Sequence, residues 1–262
     1  MIIDADRKSL FQLDVETFSS LQGLNWEESP TIIGNKPHWH GLLKKDANSL
    51  YINALLTLLD ALYGIHNKAW TWSTVKLYYV LFYIFKVELY LDGIGLFRKV
   101  LDRGSALYVI DLRESLCRFN KGSGRNVNSD HYRILNVHKS VYFDSDPIYS
   151  QTIDGDSFPV WMRDQREIAN YKQIKFEDPT RNDLYVDFNF DLLGEFELSN
   201  QNIYLDSAAM AAIPITKCIQ VRKKMSDLII LDDTKELILH FFNIAIVPQN
   251  IQDALLGTTV SE

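Results

Sequence analysis

Two arginine arrangements in this sequence have the residue types and spacing to act on a phosphodiester. In the first, Arg125-Asn126 precedes His131 across a loop that leads into a helix start. Arginine holds a phosphate as a fixed cation, and a histidine titrating near neutral pH can take the proton from a ribose 2′-hydroxyl. In the second, Arg166 and Tyr171 lie five positions apart within one helical segment. Its tyrosine, with an ordinary pKa of about 10, cannot shuttle protons near pH 7. Taken singly, each arrangement also fits a surface arginine beside a packed ring.

Charge is uneven along the chain. The 262 residues carry a formal net charge of -7, which argues against tight generic binding to nucleic acid. Between Arg98 and Lys139, however, nine basic residues face four acids, among them Arg118, Lys121, Arg125, Arg133 and Lys139, an anion-binding set if they share a face. From Asp144 to Asn200 the balance reverses, with thirteen acids against five basic residues. Solvated helix faces often show such local excesses, so the basic stretch by itself favours no partner.

Other chemistries find no support. Asp187, Asn189 and Asp191 imitate the opening of a calcium loop, but Leu192 stands at the sharp-turn glycine and Leu198 at the closing glutamate. His38 and His40 offer two nitrogen ligands without a recognisable third. The glycines of KGSGRN lack phosphate-loop spacing, and G-x-S-x-G, H-E-x-x-H and dinucleotide fingerprints are absent. Cys117 and Cys218 belong to no C-x-x-C pair, which leaves neither a disulfide framework nor a cysteine zinc site. The expectation is no metal, no cofactor and a reducing cytoplasmic compartment. An acidic start without an apolar stretch gives no signal peptide.

The elements that must position these residues read as mainly helical. With 47% hydrophobic and 12% aromatic residues the chain has ample material for a core. The first fifty residues show no long period and read as short elements wrapping the helices that follow. Leu55, Leu58, Leu59 and Leu62 mark a helical face from Ser49, with Gly64 as its stop. A second helix begins at Trp72-Ser73-Thr74, with Ser73 as its cap, presents Tyr78, Leu81, Phe82, Phe85 and Leu89, and ends at Asp92-Gly93. Its apolar run, Leu77 to Phe85, is too short to span a membrane, which needs about 18 residues or more. Leu107 to Leu112 fits strand or helix equally. Phe119 to Asp130 reads as a loop, and HYRILNVHKSVYF as a helix with Ile134, Leu135, Val137 and Val141 inward. In WMRDQREIANYKQ, residues Arg163, Arg166, Glu167 and Asn170 share one helical face. After Pro179, LYVDFNFDL alternates as a half-buried strand, with Val186, Phe188, Phe190 and Leu192 on its inner face. Helices follow over Ser207–Lys224, broken or kinked at Pro214, and Thr234–Ile246, with a frayed end over the last ten residues.

Three of these segments, in order, resemble prokaryotic HEPN-domain proteins. TWSTVKLYYVLFYIFKVEL is similar to the family's S-x-x-x-YYA-x-F-x-x-x-x-x-L helix, HYRILNVHKSVYF to its H-x-x-x-x-x-x-F helix, and WMRDQREIANYKQIKF to its terminal R-x-x-A-D/N-Y helix. The resemblance covers Ser49 to Pro179. It implies an all-helical bundle, often dimeric, of the kind found in toxin–antitoxin and antiphage operons, whose active members are metal-independent RNases with an R-x(4 to 6)-H motif. Arg166 matches the motif arginine, but Tyr171 stands where active members have histidine; Arg125 and His131 have the spacing one helix too early.

The expected fold is therefore mainly α, a HEPN-like helical bundle over residues 49–180, with a wrapping segment at 1–48 and a small α+β C-terminal region at 181–262 suited to docking a partner. The resemblance implies a non-catalytic accessory or recognition subunit working with protein subunits from the same operon or as a homodimer, away from membranes. The alternatives are a metal-independent RNase using Arg125, His131, Arg166 or Tyr171, and a module binding RNA or DNA.

Overall fold

A computed structural model describes residues 9–21, 31–32, 36–101, 104–113, 117–121, 130–172, 184–193, 206–225 and 228–257. The architecture is mainly helical with a small β component, as expected. Two compact units share the chain, each discontinuous: Met1–Leu50 with Phe85–His138, and Tyr51–Ile84 with Lys139–Glu262. No helix among the described residues is long and apolar enough to cross a membrane.

In the first unit, α1 (Leu10–Leu21) lies beside the start of α2, a helix that runs over Lys36–His66 and so begins well before the expected Ser49. The His38–His40 stretch is part of this helix and not of a wrapping segment. Trp39, Leu43 and Ala47 are buried at helical spacing, and Pro37 suits a first turn because its missing N–H would be unsatisfied there anyway. The four leading amides of α1 are all satisfied: Leu10 and Phe11 donate to the two carboxylate oxygens of buried Asp46, each at 2.9 Å, Gln12 to Ser9 Oγ and Leu13 to the Ser9 carbonyl. Asp14 accepts from Trp39 Nε1 at 2.8 Å and lies 3.2 Å from His38 Nε2, which fastens the other side of α1 to α2.

The same unit holds a four-stranded antiparallel sheet, in order β1-β4-β3-β2, from β1 (Thr31–Ile32), β2 (Ile94–Leu101), β3 (Gly104–Asp111) and β4 (Cys117–Lys121). The undecided Leu107–Leu112 segment supplies β3, because Ile94–Leu101 pairs with it residue for residue, from Ile94↔Asp111 to Leu101↔Gly104. Phe119–Lys121, expected as loop, completes β4. Phe97 and Tyr108 stack across β2 and β3 with centroids 5.3 Å apart, a cross-strand pair that fixes register. The preceding helix, α3 (Trp70–Leu91), ends where expected at Asp92-Gly93, with Gly93 at φ 80°. In the helix α4 (Asp130–Tyr142), Ile134 and Leu135 are buried as read, but the deepest inward residue is His138, stacked on Phe85 and 3.0 Å from Glu88 Oε2, while Val137 and Val141 are only half-buried.

In the second unit the later part of α2 and the earlier part of α3 form a helical hairpin. Ser73 is not the cap of α3: it lies inside the helix, fully buried, its hydroxyl 3.0 Å from the Ala61 carbonyl oxygen and 2.9 Å from that of Ala69. Gly64 is not the stop of α2 either; it sits within the helix, where a Cβ would run into Ser73 Oγ. Gly64→Ala is therefore expected to destabilise the protein by about 1–3 kcal/mol through overpacking, although alanine is the better helix former by about 1 kcal/mol. The double variant Gly64→Ala/Ser73→Ala relieves the clash; urea unfolding that ranks it below Gly64→Ala alone would contradict this.

Among its described residues the unit also holds the hairpin β5 (Thr152–Ile153) and β6 (Asp156–Ser157), α5 (Phe158–Glu167), α6 (Asp206–Lys224), α7 (Asp232–Ile244) and α8 (Gln249–Leu256). Asp154 and Gly155 both take positive φ at the hairpin turn, the requirement of a type I′ turn. α6 runs unbroken through Pro214, so of the break or kink expected there the break does not occur. Every residue from Ala208 to Ile219 is buried, and that burial outweighs the roughly 3 kcal/mol that an interior proline costs. Lys217, only 2% exposed, places Nζ 2.8 Å from Asp146 Oδ2, while Asp146 Oδ1 accepts from the Ile148 amide. α8 reaches into the stretch expected to fray, its end held by Tyr51, which donates to the Leu255 carbonyl, and by Arg222, which donates to that of Leu256.

The strand expected over Leu184–Leu192 is absent. The chain there makes turns and a short 3-10 helix at Phe190–Leu193, with Leu184, Tyr185 and Leu193 buried and Val186 68% exposed. Alternation produces a strand only when a neighbouring strand takes the backbone hydrogen bonds; here Phe188 N–H instead closes a turn on the Tyr185 carbonyl. Tyr185 is held by a 2.7 Å hydrogen bond with Thr74 Oγ1.

Candidate functional site

The helix carrying Arg166 is amphipathic, with Phe158, Trp161, Met162 and Gln165 inward and Arg163, Arg166 and Glu167 at its half-buried edge. This is the polar edge that the sequence spacing indicated. Immediately past Glu167 the helix widens into a π turn over Ile168–Lys172, a rare geometry that recurs at functional sites.

Arg166 does not project into open solvent. Its guanidinium lies over the rings of Tyr78 and Tyr79 on α3, 5.5 and 5.7 Å from their centroids, and Nη2 donates to Tyr79 Oη at 3.4 Å. Its Nε is buried and makes no hydrogen bond within the described residues. One turn earlier, Arg163 donates from Nε and Nη2 to Asp164 Oδ1, at 3.0 and 2.8 Å. Tyr79 continues into a half-exposed run of rings on α3, with Phe82 and Tyr83 at 6.4 and 6.3 Å from it.

Acid–base chemistry is poorly served here. Burial pushes the Tyr78 hydroxyl well above its ordinary value, and the nearby positive charge of Arg166 offsets only part of that shift. A phenol held protonated in this way cannot accept the proton of a ribose hydroxyl near neutral pH. The arrangement is suited to holding a cation against aromatic faces, which helps fix α5 on α3. Tyr171 lies in the π turn, placed by its backbone alone.

The other sequence candidates are scattered. Arg125 lies outside the described residues, so the Arg125–His131 arrangement is not assembled within them; His131 itself is half-buried in the first turn of α4. Arg118 and Lys121 occupy β4, opposite Thr31 and Tyr108. Arg133 is half-buried on α4, and Lys139 is exposed with its ammonium 5.2 Å from the Phe143 ring centroid. Sequence reasoning missed the tyrosine shelf under Arg166, although the Tyr78-Tyr79 pair is visible in the sequence. It also missed the Lys139–Phe143 pair, whose signal is the i, i+4 spacing of a cation and a ring. No family model, curated protein or solved structure matches this chain.

Proposed function

We propose that this chain does no chemistry of its own and serves as a HEPN-like accessory or recognition subunit of a bacterial toxin–antitoxin or antiphage defence complex. It works in the cytoplasm, with protein subunits of the same operon as its partners. The observation that carries this reading is the state of Arg166. At the position of the family's motif arginine, the guanidinium lies on two tyrosine rings, and the next motif position holds Tyr171 and no histidine. Of the three segments on which the resemblance rests, the first two lie in helices α3 and α4, and the described part of the third, to Lys172, is α5 and the π turn that follows it, which supports the resemblance at the level of local structure.

Purified protein incubated with RNA in EDTA is expected to leave the RNA intact. Arg166→Ala should change only stability, by about 0.5–2 kcal/mol, the range of a partly desolvated cation–π contact. Cleavage by the wild type that disappears in Arg166→Ala, Arg125→Ala or His131→Ala would establish the ribonuclease instead. Co-expression with the neighbouring genes should yield a stable hetero-complex on size exclusion, and a solitary monomer at every concentration would remove the accessory-subunit reading.

A further inference from the structure

We propose that the surface formed by the ends of α4 and α6 binds single-stranded nucleic acid, one base stacking on Phe143 while Lys139, Lys223 and Lys224 hold the phosphates. Phe143 directly follows α4 and is 54% exposed, which leaves part of its ring open to a stacking partner. It is nevertheless held in place. The buried ring of Tyr149 packs against it at 6.2 Å, and the Lys139 ammonium, one turn earlier, lies 5.2 Å from its centroid. On the neighbouring residue the Lys224 ammonium lies 5.8 Å from the Tyr142 ring, so two cations flank successive aromatic residues. Lys223 is exposed beside Lys224, and Asp144, next to Phe143, is an exposed acid of this stretch.

Lysines in the last turn of a helix also offset its dipole, which accounts for cations at these ends; what the dipole does not supply is the ring braced between them. A fixed ring among backbone-tracking lysines is the combination that single strands use, because every unpaired base offers a face to stack and every linkage a phosphate to neutralise. Duplexes hide their base faces and gain only the charge. Lys139 has a flexible four-carbon stem, so its ammonium can follow a phosphate as a base takes the ring face. The chain's net charge of -7 opposes a polyanion, so binding here depends on these lysines and weakens when they are removed. This inference goes beyond the accessory-subunit reading and does not depend on it.

The test is fluorescence anisotropy with labelled oligouridylate, oligothymidylate and a duplex of equal length, titrated with the full-length protein at increasing salt. Both single strands should bind at low salt and the duplex about tenfold more weakly or worse. Phe143→Ala should weaken binding about tenfold with little change in salt dependence. Lys139→Ala and Lys224→Ala should each flatten the slope of log K against log salt by about 0.7. Asp144→Asn should tighten binding, and Lys235→Ala, at an exposed position of α7, should leave it unchanged. If Phe143→Ala unfolds, as a thermal scan would reveal, Lys139→Ala, Lys224→Ala and Asp144→Asn decide the matter. Absence of saturable binding at low salt, equal or tighter binding of the duplex, or unaltered affinity in the folded variants would each overturn the proposal.

Discussion

Asp146→Ala is expected to lower stability by about 3–5 kcal/mol, the range for removing one partner of a buried ion pair. For a chain of this length that is a fall of about 10 °C in melting temperature. The cause lies on the other partner. Lys217 is buried on α6 with its ammonium 2.8 Å from Asp146, and taking the carboxylate away removes a charged partner from a buried ammonium. The same substitution removes the acceptor that holds the Ile148 amide at the start of the short 3-10 turn Pro147–Tyr149. The double variant Asp146→Leu/Lys217→Met should recover most of the loss, since well-packed apolar residues often replace a buried pair at little cost. Denaturant titration of the three proteins checks this. A single variant within about 0.5 kcal/mol of wild type would mean that water reaches the ammonium, and the pair would then be worth no more than a surface one.

Asp46→Ala is expected to cost about 3 kcal/mol, because two backbone amides lose a charged acceptor and charge-assisted hydrogen bonds contribute about 1.5–3 kcal/mol each. Asp46 belongs to α2 but does the work of a cap for α1, taking the Leu10 and Phe11 amides that Ser9 does not reach. Its negative charge also faces the positive end of the α1 dipole. Asp46→Asn keeps one acceptor and should lose about half as much. Hydrogen exchange separates this from a general loosening: the α1 amides should lose protection first, ahead of β2 and β3. Unchanged exchange at Leu10 and Phe11 in Asp46→Ala would show that another group satisfies them.

Legibility varied with how local the deciding interaction is. The long apolar helix at Val75–Leu91 was readable because its own side chains supply the core contacts, and Gly93 marked its end through a backbone conformation that glycine adopts without strain. The early start of α2 was also written in the chain, in Pro37 and in the spacing of Trp39, Leu43, Ala47 and Tyr51, but Gly41 and two histidines diluted the period. By contrast, LYVIDL and LYVDFNFDL look alike as strand formers, yet only the first has a partner to pair with. Ser73 shows the same limit. A serine near a helix start is read as a cap, and what buries it inside α3 is the absence of a side chain at Gly64 on the facing helix.

At the candidate site the sequence put Arg163, Arg166 and Glu167 on one helical edge and marked the tyrosine in place of a motif histidine, since helix periodicity and residue type need nothing beyond the segment itself. By itself it determined a mainly helical chain, the buried helix α3, the turn at Asp92-Gly93 and the face on which Arg166 lies. The tertiary structure alone decided that Arg166 rests on Tyr78 and Tyr79, that Asp46 caps a helix 36 positions away, and that Lys217 meets Asp146 across 71. Periodicity encodes which side of an element is buried, whereas the choice of partner for a buried charge is made between elements, where packing brings one donor and one acceptor together out of many.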